Sequence, residues 1–226
     1  MSDGARFDLH VHSRYSPDSR LGLDEIVGRL AYVGLRGFAL TDHNSVQGHR
    51  PLLDLQSKFP AYLFVPGVEV STADGHLLAY GVSELPPPHR PAAETIDWVR
   101  SHGGEAVPAH PFRRSHGIGR RLAESIPARA METRNGHNSE IANLRAEDAA
   151  SRRGVGQTGG SDAHSIRDLG RAYTETDSSV ASLDDLLEAI RRRQSTGAGR
   201  SLPLGARMRL GVRTALLRAG RGFGAI

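Results

Sequence analysis

The chain has 226 residues, 38% of them hydrophobic, with no cysteine and a formal charge of +4. That length and apolar share suffice for one sizeable core and argue against a disordered chain. The missing cysteines exclude disulfides, thiolate nucleophiles, iron-sulfur clusters and cysteine-held zinc, so any metal must rest on His, Asp and Glu.

No apolar run approaches the roughly 18 residues that span a bilayer, and Met1 to Phe7 lacks the apolar stretch of a signal peptide. The expectation is a soluble, cytoplasmic protein. In chain order, Arg6 to His12 alternates as a strand does, and Leu23 to Gly34 carries Leu23, Ile26, Val27, Leu30 and Val33 at helical spacing. Arg36 to Leu40 is a short apolar run ending in Thr41, Asp42 and His43, and a helical stretch follows from Ser45 to Phe59. Strands are expected at Tyr62 to Val70, interrupted at Pro66-Gly67, and at His76 to Val82. A proline-rich loop, a helix over Glu94 to His102 and a strand at Ala106 to Ala109 come next. Strands around Arg129 to Thr133 and Val155 to Gly159 flank a helix from Ser139 to Arg153, and Leu183 to Arg193 closes the set as a helix. This alternation predicts an α/β architecture with a largely parallel sheet, closed into a barrel, and functional residues at the C-terminal ends of its strands.

His10 and His12 stand two residues apart on a predicted strand, so their side chains share a face and can bind one metal. Alone, such a pair is weak among 11 histidines. Further donors fall at other predicted strand ends: Asp42-His43, Glu69 in GVEVS, His110 in PAHP, and Asp162 with His164 in GGSDAH, while His76 opens the strand after Glu69. Asp162 and His164 repeat the same-face spacing, and Gly159-Gly160 before them permit close backbone approach. Carboxylate oxygens with imidazole nitrogens, and no thiolate, suit Mn, Fe or Zn.

Taken in order, the motifs resemble the PHP (polymerase and histidinol phosphatase) domain family over residues 6 to about 193. Motif I is Asp8 to Ser19 (DLHVHSRYSPDS), motif II Ala39 to Asn44 (ALTDHN) and motif IV Gly160 to His164 (GSDAH). Motif III combines Val68 to Ser71 with His76 to Gly81 and Pro108 to Pro111. The resemblance implies a distorted seven-stranded β/α barrel with a trinuclear centre of divalent ions at its strand ends. It implies His10, His12, Glu69 and Asp162 on a first metal, Glu69 with His76 and His110 on a second, and Asp18, His43 and His164 on a third. His49, His89, His102, His116 and His137 match no ligand position, although His137 lies at a strand end. Three divalent ions against the anionic Asp18, Glu69 and Asp162 favour an anionic substrate, attacked by a metal-bridging hydroxide whose parent water has a pKa lowered to about 7. Arg113 and Arg171 are the candidate phosphate contacts, Asp42 is a candidate to orient a ligand, and Glu132 and Asn135 are candidates to flank the site.

The implied activity is metal-dependent hydrolysis of a phosphate monoester or small nucleotide. Three alternatives stay open: a DNA or RNA exonuclease, a histidinol-phosphate phosphatase, and a metal-binding regulatory module without turnover. Nucleic acid enters through the tail. Residues 191 to 226 hold nine arginines and no Asp or Glu, which leaves the first 190 residues at −5. Residues 1–193 are expected to form the metallophosphoesterase domain and residues 194–226 a basic, amphipathic C-terminal tail. In that tail Leu204, Met208, Val212, Ala215, Leu216 and Ala219 share one side of a helical wheel, and the expectation is a helix packed on the barrel by this stripe.

Overall fold

The structure is a computed structural model that describes residues 4–220. Met1 to Asp3 of the expected leader-free start and Arg221, the last of the tail arginines, lie outside the described residues. Strand β1 (Ala5–Val11) is buried along all but one position, so its alternating polar side chains point into a packed interior and not to solvent. Helix α1 (Leu23–Val33) buries Leu23, Ile26, Val27 and Leu30, and places Asp24 and Glu25 in its first turn, where the helix dipole favours negative charge. Gly34 ends it in the left-handed conformation at φ 70°, which costs glycine little. There follow β2 (Gly37–Leu40), α2 (His49–Lys58), β3 (Leu63–Ser71), β4 (His76–Tyr80), α3 (Ala92–Ser101), β5 (Glu105–Pro108) and α4 (Gly119–Ser125). The chain continues through β6 (Ala130–Asn135), α5 (Glu140–Arg153), β7 (Gly156–Gly160), β8 (Ala172–Thr176), α6 (Leu183–Arg191), β9 (Ser195–Gly199) and α7 (Leu204–Gly220).

Seven strands form one sheet in the order β5-β4-β3-β2-β1-β8-β9, and β6-β7 form a separate pair. The sheet curls, and the pair fills the gap between its ends: β6 packs beside β5, and β7 beside β8 and β9. Gly159 N–H donates to Thr174 Oγ1 and Ser195 Oγ donates to the Gln157 carbonyl, each at 2.8 Å, fastening β7 to the wall. The fold is therefore the expected α/β type with a distorted barrel. The sheet is mixed and not largely parallel: only β1-β2, β2-β3 and β6-β7 run parallel. The few residues between Ser71 and His76 are too short for a crossover, so β3 and β4 must pair antiparallel. Strand β3 also runs unbroken through Pro66-Gly67.

Two findings concern the C-terminal part. Strand β9 pairs with β8 beyond the last expected helix. Helix α7 turns its apolar stripe outward, with Leu204, Met208, Val212 and Leu216 each more than 60% exposed. The half-buried inner side instead carries Arg207, Leu210, Thr214 and Arg218. No helix among the described residues is long and apolar enough to cross a membrane.

Candidate metal centre

Because β1, β2, β3 and β5 point the same way, and the parallel bridge of Val11 to Ala163 aligns the end of β7 with β1, their C-terminal ends meet at one mouth of the barrel, with the start of antiparallel β4 beside them. His10 lies at the end of β1 and His12 just after it, His43 follows β2, Glu69 lies late in β3, His76 opens β4, His110 follows β5, and Asp162 and His164 follow β7. Asp18 reaches the same place from the loop after β1, and all nine side chains are buried.

Glu69 is the hub. Its Oε1 lies 2.8 Å from His76 Nδ1 and 2.9 Å from His110 Nε2. Its Oε2 lies 3.1 Å from both His10 Nε2 and His12 Nε2 and 3.4 Å from His43 Nδ1. Asp162 Oδ1 approaches His10 Nε2 at 3.6 Å and His12 Nε2 at 3.4 Å. Asp18 Oδ2 lies 3.3 Å from His43 Nε2 and 3.1 Å from His164 Nε2. Donor atoms within 4.8 Å of one another form four overlapping groups: His10, His12, Glu69, Asp162; His12, Asp18, His43, His164; His43, Glu69, His76; and His137, Asp162, His164.

This donor set fits divalent cations. His12 Nε2, His43 Nδ1, His76 Nε2 and His110 Nδ1 are buried without an aligned hydrogen-bond partner among the described residues, a costly condition unless something else occupies them. Burial pushes His43 down to about 4, and burial with the Arg113 charge pushes His110 down to about 3, so both rings are neutral and offer lone pairs at neutral pH. Burial works against charge on His12 as well, yet the Asp162 and Glu69 carboxylates lift it to about 10. In the same way Asp162, Glu132 and Glu69 overcome burial and raise His10 well above the imidazole range. Burial alone would raise Glu69, but the surrounding His43, His10 and His76 hold it well below the carboxylate range. Without metal, protons on His10 and His12 thus supply positive charge that the carboxylates demand.

The chain invests in holding these groups. Glu132 Oε2 accepts the His110 backbone N–H, and Asn135 Nδ2 donates to both Glu132 oxygens at 3.2 and 3.1 Å and to Asp162 Oδ2 at 3.3 Å. His110 and Asp162 both have positive φ, 32° and 57°, an unfavourable backbone state that turns each strand end sharply. Gly160 lies against His10: a Cβ there would fall 2.3 Å from His10 Cβ and 2.5 Å from its backbone nitrogen. Among the described residues Asp42 makes no hydrogen bond to an imidazole; its carboxylate accepts the Ser13 N–H at 2.6 Å and the Ser13 hydroxyl at 2.8 Å, anchoring the loop that carries Asp18.

Arg113 lines the cavity over the centre, its guanidinium donating to Asp162 Oδ2 and Asn135 Oδ1 at 2.7 Å and to Asn138 Oδ1 at 2.9 Å. Arg171 does not line that cavity: it follows the left-handed turn at Gly170 (φ 75°) and lies exposed at the barrel edge. Sequence reasoning gave no ligand position to His137 or His116. His137 Nδ1 lies 3.7 Å from Asp162 Oδ2, and His116 stacks on His76 at 4.7 Å; both line the cavity. The strand-end placement of His137 was the available signal, whereas His116 sits in a loop with none. Also unexpected is Asp8, whose buried carboxylate accepts N–H groups from His10, Ser161 and Gly170 and so ties β1 to the loops after β7.

Residues 8–82 match the PHP domain and residues 140–195 the PHP-associated domain. An uncharacterised protein of Methanocaldococcus jannaschii is 29% identical over 115 residues, covering 46% of this chain and 67% of that one. Among solved structures, a two-domain protein of Bacteroides vulgatus, described as containing a predicted PHP-like metal-dependent phosphoesterase, superposes with a TM-score of 0.70 at 20% identity. That likeness covers 87% of this chain and 65% of that protein, less than two thirds of its length. The lesion-specific endonuclease Q of Pyrococcus furiosus superposes at 0.67 with 18% identity, covering 86% of this chain and 58% of that one. Such structural likenesses speak for the fold. With both family matches falling on the segments that bring His10, His12, Glu69 and Asp162 together, the chain belongs to the PHP family.

Proposed function

We propose that the chain is a metal-dependent phosphoesterase that hydrolyses a phosphate monoester or a small nucleotide. The supporting observation is the convergence of five imidazoles on the one buried carboxylate of Glu69, flanked by Asp18 and Asp162. His10, His12, Glu69 and Asp162 would hold one cation, Glu69, His76 and His110 a second, and Asp18, His43 and His164 a third. Mn, Fe or Zn bound there would act as Lewis acids and make water acidic enough to attack at neutral pH.

The remaining work falls to the chain. Arg113, fixed on three sides by Asn135, Asn138 and Asp162, is preorganised to meet phosphate oxygens. A cavity of about 330 Å³ suits a small substrate. The test is a panel of phosphate esters, including mononucleotides, bisphosphates, histidinol phosphate and short oligonucleotides, assayed with Mn, Zn and Fe. His10→Ala should abolish hydrolysis of whichever ester is cleaved; undiminished turnover in that variant would defeat the reading.

A nuclease is the second reading. It is favoured by Arg207 and Arg218, which line the same cavity, and by the fold shared with endonuclease Q. Salt-dependent oligonucleotide binding that disappears when residues 204–226 are removed would support it.

A further inference from the structure

Helix α7 lies on the barrel by a half-buried side and is hydrogen-bonded to it through one side chain. None of its residues is buried. Among the described residues, the side-chain hydrogen bonds that join it to the barrel are those of Arg218. Nη2 and Nε donate to Asp18 Oδ2 at 2.5 and 3.1 Å, and Nη2 lies 3.1 Å from His43 Nε2. Asp18 and His43 are buried, and with His12 and His164 they make up one of the four donor groups. A guanidinium has donors only and keeps its charge, so His43 Nε2 must face it as a bare lone pair. That is the form in which an imidazole binds a cation.

The guanidinium and a divalent cation therefore want the same two atoms. Both carry positive charge, and the two cannot sit on Asp18 Oδ2 together at contact distance without strong repulsion. The stakes extend to the cavity, because Arg207, Leu210, Thr214 and Arg218 of α7 form one of its walls.

We propose that Arg218 is a latch that a cation displaces: its guanidinium docks α7 over the site by occupying Asp18 and His43, and a divalent ion taking those atoms releases the helix. The coupling is reciprocal, so docking of α7 weakens cation binding at this position by the factor by which the cation weakens docking. It also makes the cavity mouth widest when the centre is fully loaded. This inference rests on the ligand roles proposed above for Asp18 and His43.

The experiment needs no substrate. Full-length protein stripped with a chelator is titrated with Mn by calorimetry, while hydrogen exchange and trypsin cleavage after Arg209 and Arg213 report on α7. In the wild type, Mn should speed exchange and cleavage in residues 204–220 while slowing exchange in residues 5–12. Arg218→Ala should show the fast α7 behaviour without Mn and should bind the cation at this position about tenfold more tightly. Asp18 keeps the Ser16 hydroxyl and His164 as partners, so that variant should stay folded with a modestly lower melting temperature, and Arg218→Lys should fall between the two. Binding of Mn with α7 exchange unmoved, or an Arg218→Ala isotherm that superposes on the wild type, overturns the latch and leaves the metal centre standing. If no cation binds at all, latch and metal centre fall together.

Discussion

Glu132 Oε1 lies 2.9 Å from His10 Nδ1, opposite the ring nitrogen that faces Glu69. A carboxylate in that place fixes the ring and its tautomer and raises the basicity of the far nitrogen. Glu132→Gln should therefore lower cation affinity by about 10- to 100-fold with the fold intact. Calorimetric titration with Mn reads this directly; an isotherm like that of the wild type would show that the contact does not tune the ring.

Asp8 takes three backbone N–H groups on two oxygens, and an asparagine there would turn an amide N–H toward one of them. Asp8→Asn should cost about 1–3 kcal/mol, the usual penalty for a buried donor left unpaired. Urea unfolding of the metal-free protein provides the measure, and a midpoint within error of the wild type would contradict it.

His12 makes stability and cation binding depend on pH in linked ways. Its pKa in the metal-free fold is about 10 against an ordinary 6.5, so the protonated ring contributes stability in full below 6.5, and that contribution is lost as pH rises through 10. The metal-free protein should accordingly melt at lower temperature as pH climbs across this window. A cation needs the bare nitrogen, so binding near neutral pH should release a proton and tighten as pH rises. Calorimetry in two buffers of different ionisation enthalpy counts that proton; none released would refute the assignment.

Gly160→Ala should disable the centre without replacing a proposed ligand. The new Cβ meets backbone and Cβ atoms of His10, which cannot swing aside as the end of a flexible side chain would. A loss of about 1–3 kcal/mol in stability, the size seen for overpacked cores, and a loss of Mn binding are expected. A variant that binds Mn normally would mean that β1 and β7 can separate.

What was legible in the sequence was the part governed by short-range periodicity. The two-residue spacing of His10 and His12 fixes their common face, and the family motifs gather Glu69, His110 and Asp162 around them. Strands β8 and β9 escaped because AYTET and STGAG carry little apolar alternation and owe their pairing to neighbours. Asp8 escaped because its partners Ser161 and Gly170 are remote in the chain. Helix α7 shows a different limit. A helical wheel tells which face is apolar but not which face docks, and here the carboxylate of Asp18 draws the arginine side inward.

The nine converging side chains are scattered from residue 10 to residue 164. No shorter piece of the chain carries the full set, so during synthesis the site cannot be completed until the loop after β7 has emerged from the ribosome. Before then the β1 histidines and Glu69 can offer a cation only partial coordination. Cation binding by the full donor set would thus be a late event in the life of the nascent chain, and a product truncated ahead of Asp162 would lack that set, however well its first strands pair.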